Sequence, residues 1–211
     1  MATSVATTTK RRRIGPRDHG RMMTLEEYER CYERDGCVAE LIDGALTVSP
    51  APNKLHDCWK EFVVDQLKAY ARRRSDIVNH VSSDCEVVIP SRPGVTRPRP
   101  DIGAFRNYPT IEEVAEHPGW DDVCPIVVVE VVSPRRRGKD TRRNRHLYWL
   151  ALGIAEYWIV DPRKDARQPV LVALRRKKGE ADWAERKIPF GNVYKTPTLP
   201  GFALNLEEAT N

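Results

Sequence analysis

Glu130 is an acid inside a run of apolar residues. It interrupts residues 126–132, whose other members are all isoleucine or valine. Such a run is typical of a strand that is buried on both faces of a sheet. A carboxylate in that setting costs several kcal/mol unless it is paired or binds a cation. Glu130 is therefore a candidate site residue; the alternative is an acid near the strand end whose side chain reaches solvent.

Asp101 is a second candidate acid. Pro100 keeps the chain extended before it, and Asp101 then opens the short apolar segment 102–105. Taken alone, an Asp at a strand start is more often a cap or turn residue. Together with Glu130 on a neighbouring strand, it would form a site of hard oxygen ligands that suits Mg²⁺ or Mn²⁺. Such a metal lowers the pKa of a bound water and stabilises charge on a scissile phosphate.

A basic stretch follows Glu130. Residues 135–145 contain seven basic residues and one acid. Beside the two acids, this stretch is either a phosphate-binding edge or a solvated helix face, and the sequence favours neither. The candidate phosphate ligands are Arg135, Arg136, Arg137, Arg143 and Arg145.

The periodicity of the sequence predicts the elements that position these residues. Thr24 and Glu27 form a capping box before a helix at 24–34, and Asp43-Gly44 predicts a tight turn between two strands. Apolar residues at helical spacing predict the longest helix at 54–74. The predicted strands are 38–42, 45–48, 77–81, 85–89, 101–105, 125–132, 155–160, 170–174, 183–188 and 202–206, with further helices at 110–116 and 139–152. The order strand, helix, strand from 125 to 160 predicts a parallel crossover.

Length and charge predict one domain behind a basic tail. A chain of 211 residues suffices for one sizeable α/β domain. Of its 35 basic and 30 acidic residues, six bases and one acid lie in residues 1–21, so residues 22–211 are neutral. We predict that residues 1–21 are a disordered tail, because they have no apolar period, and that residues 22–211 are a single domain. The tail is either a phosphate-seeking arm or a solvated N-terminus.

The cysteines and the apolar runs indicate a compartment. The five cysteines form no CxxC pair, and their odd number without a secretory signal indicates reduced thiols. No apolar stretch reaches the roughly 18 residues that a membrane span needs. We therefore expect a cytoplasmic protein with no membrane partner.

Six short segments follow one another along the chain in a specific order. They are Ala-Glu-Leu-Ile-Asp-Gly-Ala-Leu at 39–46, the long helix with His56 near its start, Arg-Pro-Asp-Ile at 99–102, Val-Val-Glu-Val-Val-Ser-Pro at 128–134, Ala-Glu-Tyr-Trp-Ile-Val-Asp-Pro at 155–162 and Pro-Gly-Phe at 200–202. From about residue 23 to 206, the chain resembles the PD-(D/E)XK nuclease superfamily, and in particular its Uma-type branch, a restriction endonuclease family common in bacteria.

This resemblance implies a fold, an activity and a set of site residues. The implied fold is α/β and restriction-endonuclease-like, with a mixed central β-sheet flanked by helices and a C-terminal β extension. Asp101 and Glu130 match metal-binding acids, and Glu40 matches an acid that can face the same cleft. Ser133 and His56 match supporting positions. Their alternatives are an exposed strand residue for Glu40, a turn cap for Ser133 and a polar first-turn residue for His56.

The chain departs from the family pattern at its lysine. The superfamily position, two residues after the glutamate, is Val132 here. In the Uma-type branch the lysine instead lies four residues after an Asp and four before a Tyr, and those positions are Asp140, Asn144 and Tyr148. Asn144 therefore takes the place of the lysine without its charge.

Three residues near Asn144 are candidate substitutes for that lysine. Lys139 lies at or before the start of the predicted helix and can reach inward. Arg143 and Arg145 lie about 100° to either side of Asn144 on an α-helix, and arginine does not deprotonate.

Three functions follow from these residues. The first is a Mg²⁺- or Mn²⁺-dependent endonuclease that hydrolyses DNA. The second is a nuclease fold that has lost catalysis at Asn144 and binds nucleic acid or protein. The third is a protein in which the acids are only structural. Cutting both strands of a duplex with one small domain favours a homodimer.

Overall fold

A computed structural model describes residues 11–90, 92, 94–133 and 138–210. The chain divides into two compact units. The smaller comprises Met1–Ala51 with Arg92–Thr96, and the larger comprises Pro52–Ser91 with Arg97–Asn211. That residues 22–211 form a single domain stays a prediction.

The smaller unit contains a β-hairpin and a parallel strand pair. In chain order its elements are β1 (Arg12–Ile14), a 3-10 turn (Pro16–Asp18), α1 (Leu25–Glu29), β2 (Cys31–Glu33), β3 (Cys37–Ile42) and β4 (Ala45–Pro50). β1 and β2 pair in parallel, and β3 and β4 pair antiparallel. The hairpin turns at Asp43 and Gly44, whose φ angles are 53° and 77°. This is the tight turn that the Asp-Gly pair predicts.

Residues 12–18 are ordered, although the sequence analysis assigns them to a disordered tail. Ile14 is 3% exposed and joins the apolar core of the smaller unit. Asp18 accepts a hydrogen bond from the Gly15 N–H at 3.0 Å. One buried apolar side chain and one acid thus anchor this arginine-rich segment. Residues 1–10 of the predicted tail lie outside the described residues.

Helix α1 begins where the sequence predicts and ends earlier. Thr24 and Glu27 form the predicted capping box, with the Glu27 N–H donating to Thr24 Oγ1 at 3.2 Å. The helix stops at Glu29 because the following residues, Cys31–Glu33, pair with β1 as strand β2.

The larger unit is built on a mixed sheet. Its helices are α2 (Lys54–Arg73), α3 (Ile111–Glu116) and α4 (Arg145–Leu150), with a π-helical turn at Lys139–Asn144 and a 3-10 turn at Leu206–Thr210. Its strands are β5 (His80–Ser82), β6 (Ile102–Phe105), β7 (Val127–Val131), β8 (Glu156–Asp161), β9 (Val170–Arg175), β10 (Ala184–Ile188), β11 (Tyr194–Lys195) and β12 (Ala203–Leu204).

Within the described residues, the strand order of this sheet is β10-β9-β8-β7-β6-β5. β7 runs parallel to β8, whereas the other neighbours pair antiparallel. β11 and β12 form a separate antiparallel pair near the C-terminus. The predicted α/β class, the mixed central sheet and the closing C-terminal strands are confirmed.

Helix α2 packs against one face of this sheet. Its side chains Val63 and Leu67 share one apolar cluster with Val129 of β7 and Trp158 of β8. No helix within residues 11–90, 92, 94–133 and 138–210 is both long enough and apolar enough to cross a bilayer.

Two predicted elements of the larger unit were wrong. Residues 85–89 alternate between buried and half-buried side chains, as in a strand, but form no ladder within the described chain. The Val87 N–H donates to the Pro98 carbonyl at 3.0 Å, but Pro98 has no N–H with which to extend this contact into a ladder. The predicted helix at 139–152 is instead a π-helical turn followed by the short helix α4.

Candidate active site

Asp101 and Glu130 lie side by side at one end of β6 and β7. In this antiparallel pair Ile102 is opposite Val129, so Asp101, one residue before β6, comes opposite Glu130. Asp101 Oδ2 also accepts a hydrogen bond from the Val131 N–H at 2.7 Å. The structure thus brings together the two acids that the sequence singles out.

His56 reaches Asp101 from the first turn of α2. The Asn53 side chain caps this helix and accepts the His56 N–H at 3.0 Å. His56 Nε2 lies 3.0 Å from Asp101 Oδ2, and because a carboxylate oxygen can only accept, Nε2–H is the donor. The imidazole is 4% exposed, and its Nδ1 is buried without a hydrogen-bond partner among the described residues.

These contacts keep Asp101 ionised. Burial raises its pKa, but the hydrogen bond and charge of His56, the Val131 N–H and the charge of Lys139 together outweigh burial, so the pKa of Asp101 lies below its usual value. Lys139, half-buried at the start of the π-helical turn, is therefore close enough to act on Asp101. Asp101 Oδ1 accepts no hydrogen bond from any described residue, which leaves this oxygen open.

Glu130 is held by the π-helical turn and α4. The side chain is 2% exposed. Its Oε1 accepts hydrogen bonds from Asn144 Nδ2 at 2.7 Å and from the Tyr148 hydroxyl at 2.9 Å. Asn144 Oδ1 in turn accepts from Arg143 Nε at 3.0 Å. One buried amide therefore links a guanidinium to the carboxylate.

Tyr157 is a member of this cluster that the sequence analysis missed. Its hydroxyl donates to the Asp140 carbonyl at 2.8 Å. Burial raises the pKa of Tyr157 well above its usual value, and the charges of Glu130, Asp140 and Asp101 raise it further. Tyr157 is opposite Val128 on the parallel neighbour strand, so alternation places it on the face of Glu130. This placement depends on the register of β7 against β8, so no signal in the sequence alone identifies it.

Comparison with known proteins places this chain in a family. A family model described as "Uma2: Putative restriction endonuclease" matches residues 25–207. The chain belongs to the Uma2 family. No match is found among curated proteins.

A solved structure supports the fold of this Uma2 chain. It is a putative nuclease belonging to DUF820 from Anabaena variabilis ATCC 29413, with a TM-score of 0.61 and 16% sequence identity. The match covers 89% of this chain and 97% of that chain. At this identity the likeness shows the fold alone, which is restriction-endonuclease-like.

Three other predicted site residues of this Uma2 chain are Arg145, Ser133 and Glu40. Arg145, predicted as a phosphate ligand, forms ion pairs with Glu185 at 2.6 Å and with Asp182 at 3.2 Å, and its role as a phosphate ligand stays a prediction. Ser133 is half-buried just after β7. Glu40 is 1% exposed in the smaller unit, and its place in the cleft stays a prediction.

The remaining predicted phosphate ligands of the basic stretch are Arg143 and the three arginines at 135–137. Arg143 Nε donates to Oδ1 of the adjacent Asn144 at 3.0 Å within the π-helical turn, and its role as a phosphate ligand or lysine substitute stays a prediction. Arg135, Arg136 and Arg137 lie outside the described residues.

The donor set of the Uma2 site fits a cation that keeps part of its water. Among the described residues, no group of three or more His, Cys, Asp or Glu side chains is arranged to hold a metal ion. Mg²⁺ is typically held by one or two carboxylates, with water and substrate oxygens completing its shell. The open Asp101 Oδ1 beside Glu130 matches that smaller requirement.

Proposed function

We propose that this Uma2 protein is a metal-dependent endonuclease that hydrolyses phosphodiester bonds of DNA. Family membership and fold support a nuclease. The observation that carries the finer proposal is the position of Asp101 and Glu130 side by side. The pKa of Asp101 is lowered and one of its oxygens is open, and the Glu130 side chain is buried.

Asp101 and Glu130 are the residues that would hold Mg²⁺ or Mn²⁺. Bound there, the metal supplies a water of lowered pKa and neutralises charge on the phosphate. His56 fixes the orientation of Asp101 by binding Oδ2, so that Oδ1 faces away from the imidazole. Asn144 and Tyr148 fix the Glu130 carboxylate in the same way.

Lys139 supplies the positive charge that the family pattern places at residue 144. Its charge already lowers the pKa of Asp101. An ammonium beside the scissile phosphate would stabilise the negative charge that develops there. We extend the proposal to a homodimer, because two sites related by a two-fold axis suit the two strands of a duplex.

A catalytically impaired binding module is the second candidate. The observation that favours it is Asn144, fully buried and uncharged at the lysine position. In that case the protein would bind DNA in a salt-sensitive way without cutting it.

Cleavage of a labelled DNA duplex, next to an RNA duplex of the same sequence, tests the proposal. With Mg²⁺ or Mn²⁺ we expect the DNA to be cut, and Asp101→Asn to reduce the rate at least about a hundredfold. The matched control is Asp65→Asn, which removes an exposed acid from α2 and should leave the rate unchanged. Equal rates for Asp101→Asn and the parent would show that the site is wrong.

A further inference from the structure

A pocket in the larger unit lies beside β9 and β10. Its volume is about 330 Å³. Across this antiparallel pair, Arg175 is opposite Ala184, and Arg186 is opposite Ala173. Opposed residues point to the same face, so two alanines and two arginines share it. The concavity arises because the methyl groups leave room between the two long side chains.

The pocket is lined by more positive charge than its surroundings neutralise. Arg175, Lys177, Arg186 and Lys195 all line it. Lys177 forms an ion pair with Glu180 at 3.2 Å. Within the described part of the chain, the other three side chains form no ion pair. Residues 22–211 hold 29 basic and 29 acidic residues, so this concentration of positive charge is local.

The acids near the pocket have other hydrogen-bond partners. Glu185 is also one of the residues that line the pocket, but it neighbours Arg186 on β10, so strand alternation directs its carboxylate towards the other face. There it accepts from Arg145 at 2.6 Å. Glu156 is opposite Arg175 in register but is fully buried. Its two oxygens accept hydrogen bonds from the side chains of Trp158, Tyr194, Thr196 and Thr198.

The pocket is separate from the candidate active site. Glu130 is opposite Ile159 on β8, whereas Arg175 is opposite Glu156, three residues earlier on that strand. The two sites are therefore about 10 Å apart along the strands and about 10 Å apart across them. Alternation also puts Glu130 and Arg175 on opposite faces of the sheet. A single phosphate group in the pocket would therefore not overlap with the candidate site at Asp101.

We infer that this pocket binds a phosphate group, carried by a free nucleotide or by a nucleic acid backbone. A guanidinium donates two parallel hydrogen bonds to phosphate oxygens, and the two arginines approach from opposite sides of the alanine floor. The volume accommodates a phosphate together with part of the group that carries it. The inference goes beyond the proposed nuclease activity and does not depend on it.

Equilibrium binding in EDTA tests the inference, since no cleavage is needed. The probes are inorganic phosphate, 5′-dAMP and a short DNA duplex, titrated calorimetrically at constant ionic strength. The test variant, Arg186→Gln with Lys195→Gln, removes two exposed charges. The matched control, Arg72→Gln with Arg73→Gln, removes two exposed charges from α2. A third variant, Ala184→Leu, fills the pocket without changing its charge.

We expect saturable binding to the parent and the control, and at least about tenfold weaker binding to the test variant and to Ala184→Leu. Binding of 5′-dAMP identifies a nucleotide as the source, and binding of the duplex alone identifies a backbone. Asp101→Asn should bind like the parent, which separates this result from failure of the nuclease proposal. Binding of no probe, or equal binding to the test variant and the control, would overturn the inference.

Discussion

Asn144 stands between a guanidinium and a carboxylate. Its amide oxygen accepts from Arg143 at 3.0 Å and its amide nitrogen donates to Glu130 at 2.7 Å. Hydrogen bonds to charged groups are roughly twice as strong as those between neutral groups. The amide therefore supports the Glu130 carboxylate without placing a charge against it.

Replacing Asn144 with a similar apolar side chain tests this role. Asn144→Leu removes one donor from the buried Glu130 carboxylate, and we expect a loss of about 1–3 kcal/mol in the free energy of unfolding. Urea denaturation at neutral pH measures the change. The control Asn192→Leu, at an exposed position, should shift stability by less than about 0.5 kcal/mol. Equal effects of the two substitutions would contradict the role of Asn144.

Restoring the family lysine tests the chemical consequence of Asn144. We expect Asn144→Lys to cut DNA faster than the parent, because an ammonium beside Glu130 adds charge stabilisation for the phosphate. The measurement is the initial rate of duplex cleavage with Mg²⁺. Asn192→Lys adds the same charge at an exposed position and should not change the rate. A folded Asn144→Lys protein that is no faster would argue against a role for charge at this position.

The pKa of Asp101 predicts a pH dependence of stability. Because the pKa is lower in the folded protein, the ionised carboxylate stabilises the fold above the unfolded pKa of about 3.9. This contribution is lost as pH falls through the folded pKa. In EDTA, the difference in unfolding free energy between the parent and Asp101→Asn should be constant above about pH 5 and should shrink below it. A difference independent of pH down to about 2 would contradict the assignment.

At the scale of elements, α2 links the fold to the site. Asn53 caps its first turn, and that turn carries His56 to Asp101. We expect Asn53→Ala to lower the free energy of unfolding by about 1 kcal/mol, because the His56 N–H loses its acceptor. Urea denaturation tests this. A change below about 0.3 kcal/mol would show that the cap contributes little.

Local sequence patterns correctly predicted those helices and turns that depend mainly on short-range interactions. The capping box at Thr24 and the turn at Asp43-Gly44 are short-range signals, and the apolar spacing of residues 54–73 requires a helix with one buried face. Residues 85–89 and 12–18 differ, because long-range pairing decides whether such segments become strands. No local signal in residues 139–144 distinguishes a π-helical turn from an α-helix.

The candidate site was predictable only in part, because local signals can be read from the sequence and long-range contacts cannot. Glu130 and Asp101 stand out because an acid in an apolar strand, or at its start, is costly without a partner. The ion pair between Arg145 and Glu185 was not predictable, because the two residues lie forty positions apart in the sequence and meet only in the folded protein. Tyr157 required the register of β7 against β8, which the sequence leaves open.

At the scale of the whole molecule, positive charge is concentrated in a few places rather than spread evenly. Because residues 22–211 are neutral, the DNA binding that we propose would depend on local features such as Lys139 and the proposed phosphate pocket at β9 and β10. Electrostatic attraction of this kind weakens with salt in proportion to the phosphates contacted.

Nicking of supercoiled plasmid by the purified protein tests the central claim most directly. The reactions contain Mg²⁺, Mn²⁺ or EDTA, with Glu130→Gln as the site variant and Glu112→Gln, an exposed acid of α3, as its control. We predict nicking by the parent and the control with either metal, and neither nicking in EDTA nor nicking by Glu130→Gln. Nicking that persists in EDTA or in Glu130→Gln would contradict the metal-dependent site at Asp101 and Glu130, and a folded parent that never nicks would contradict the nuclease activity itself.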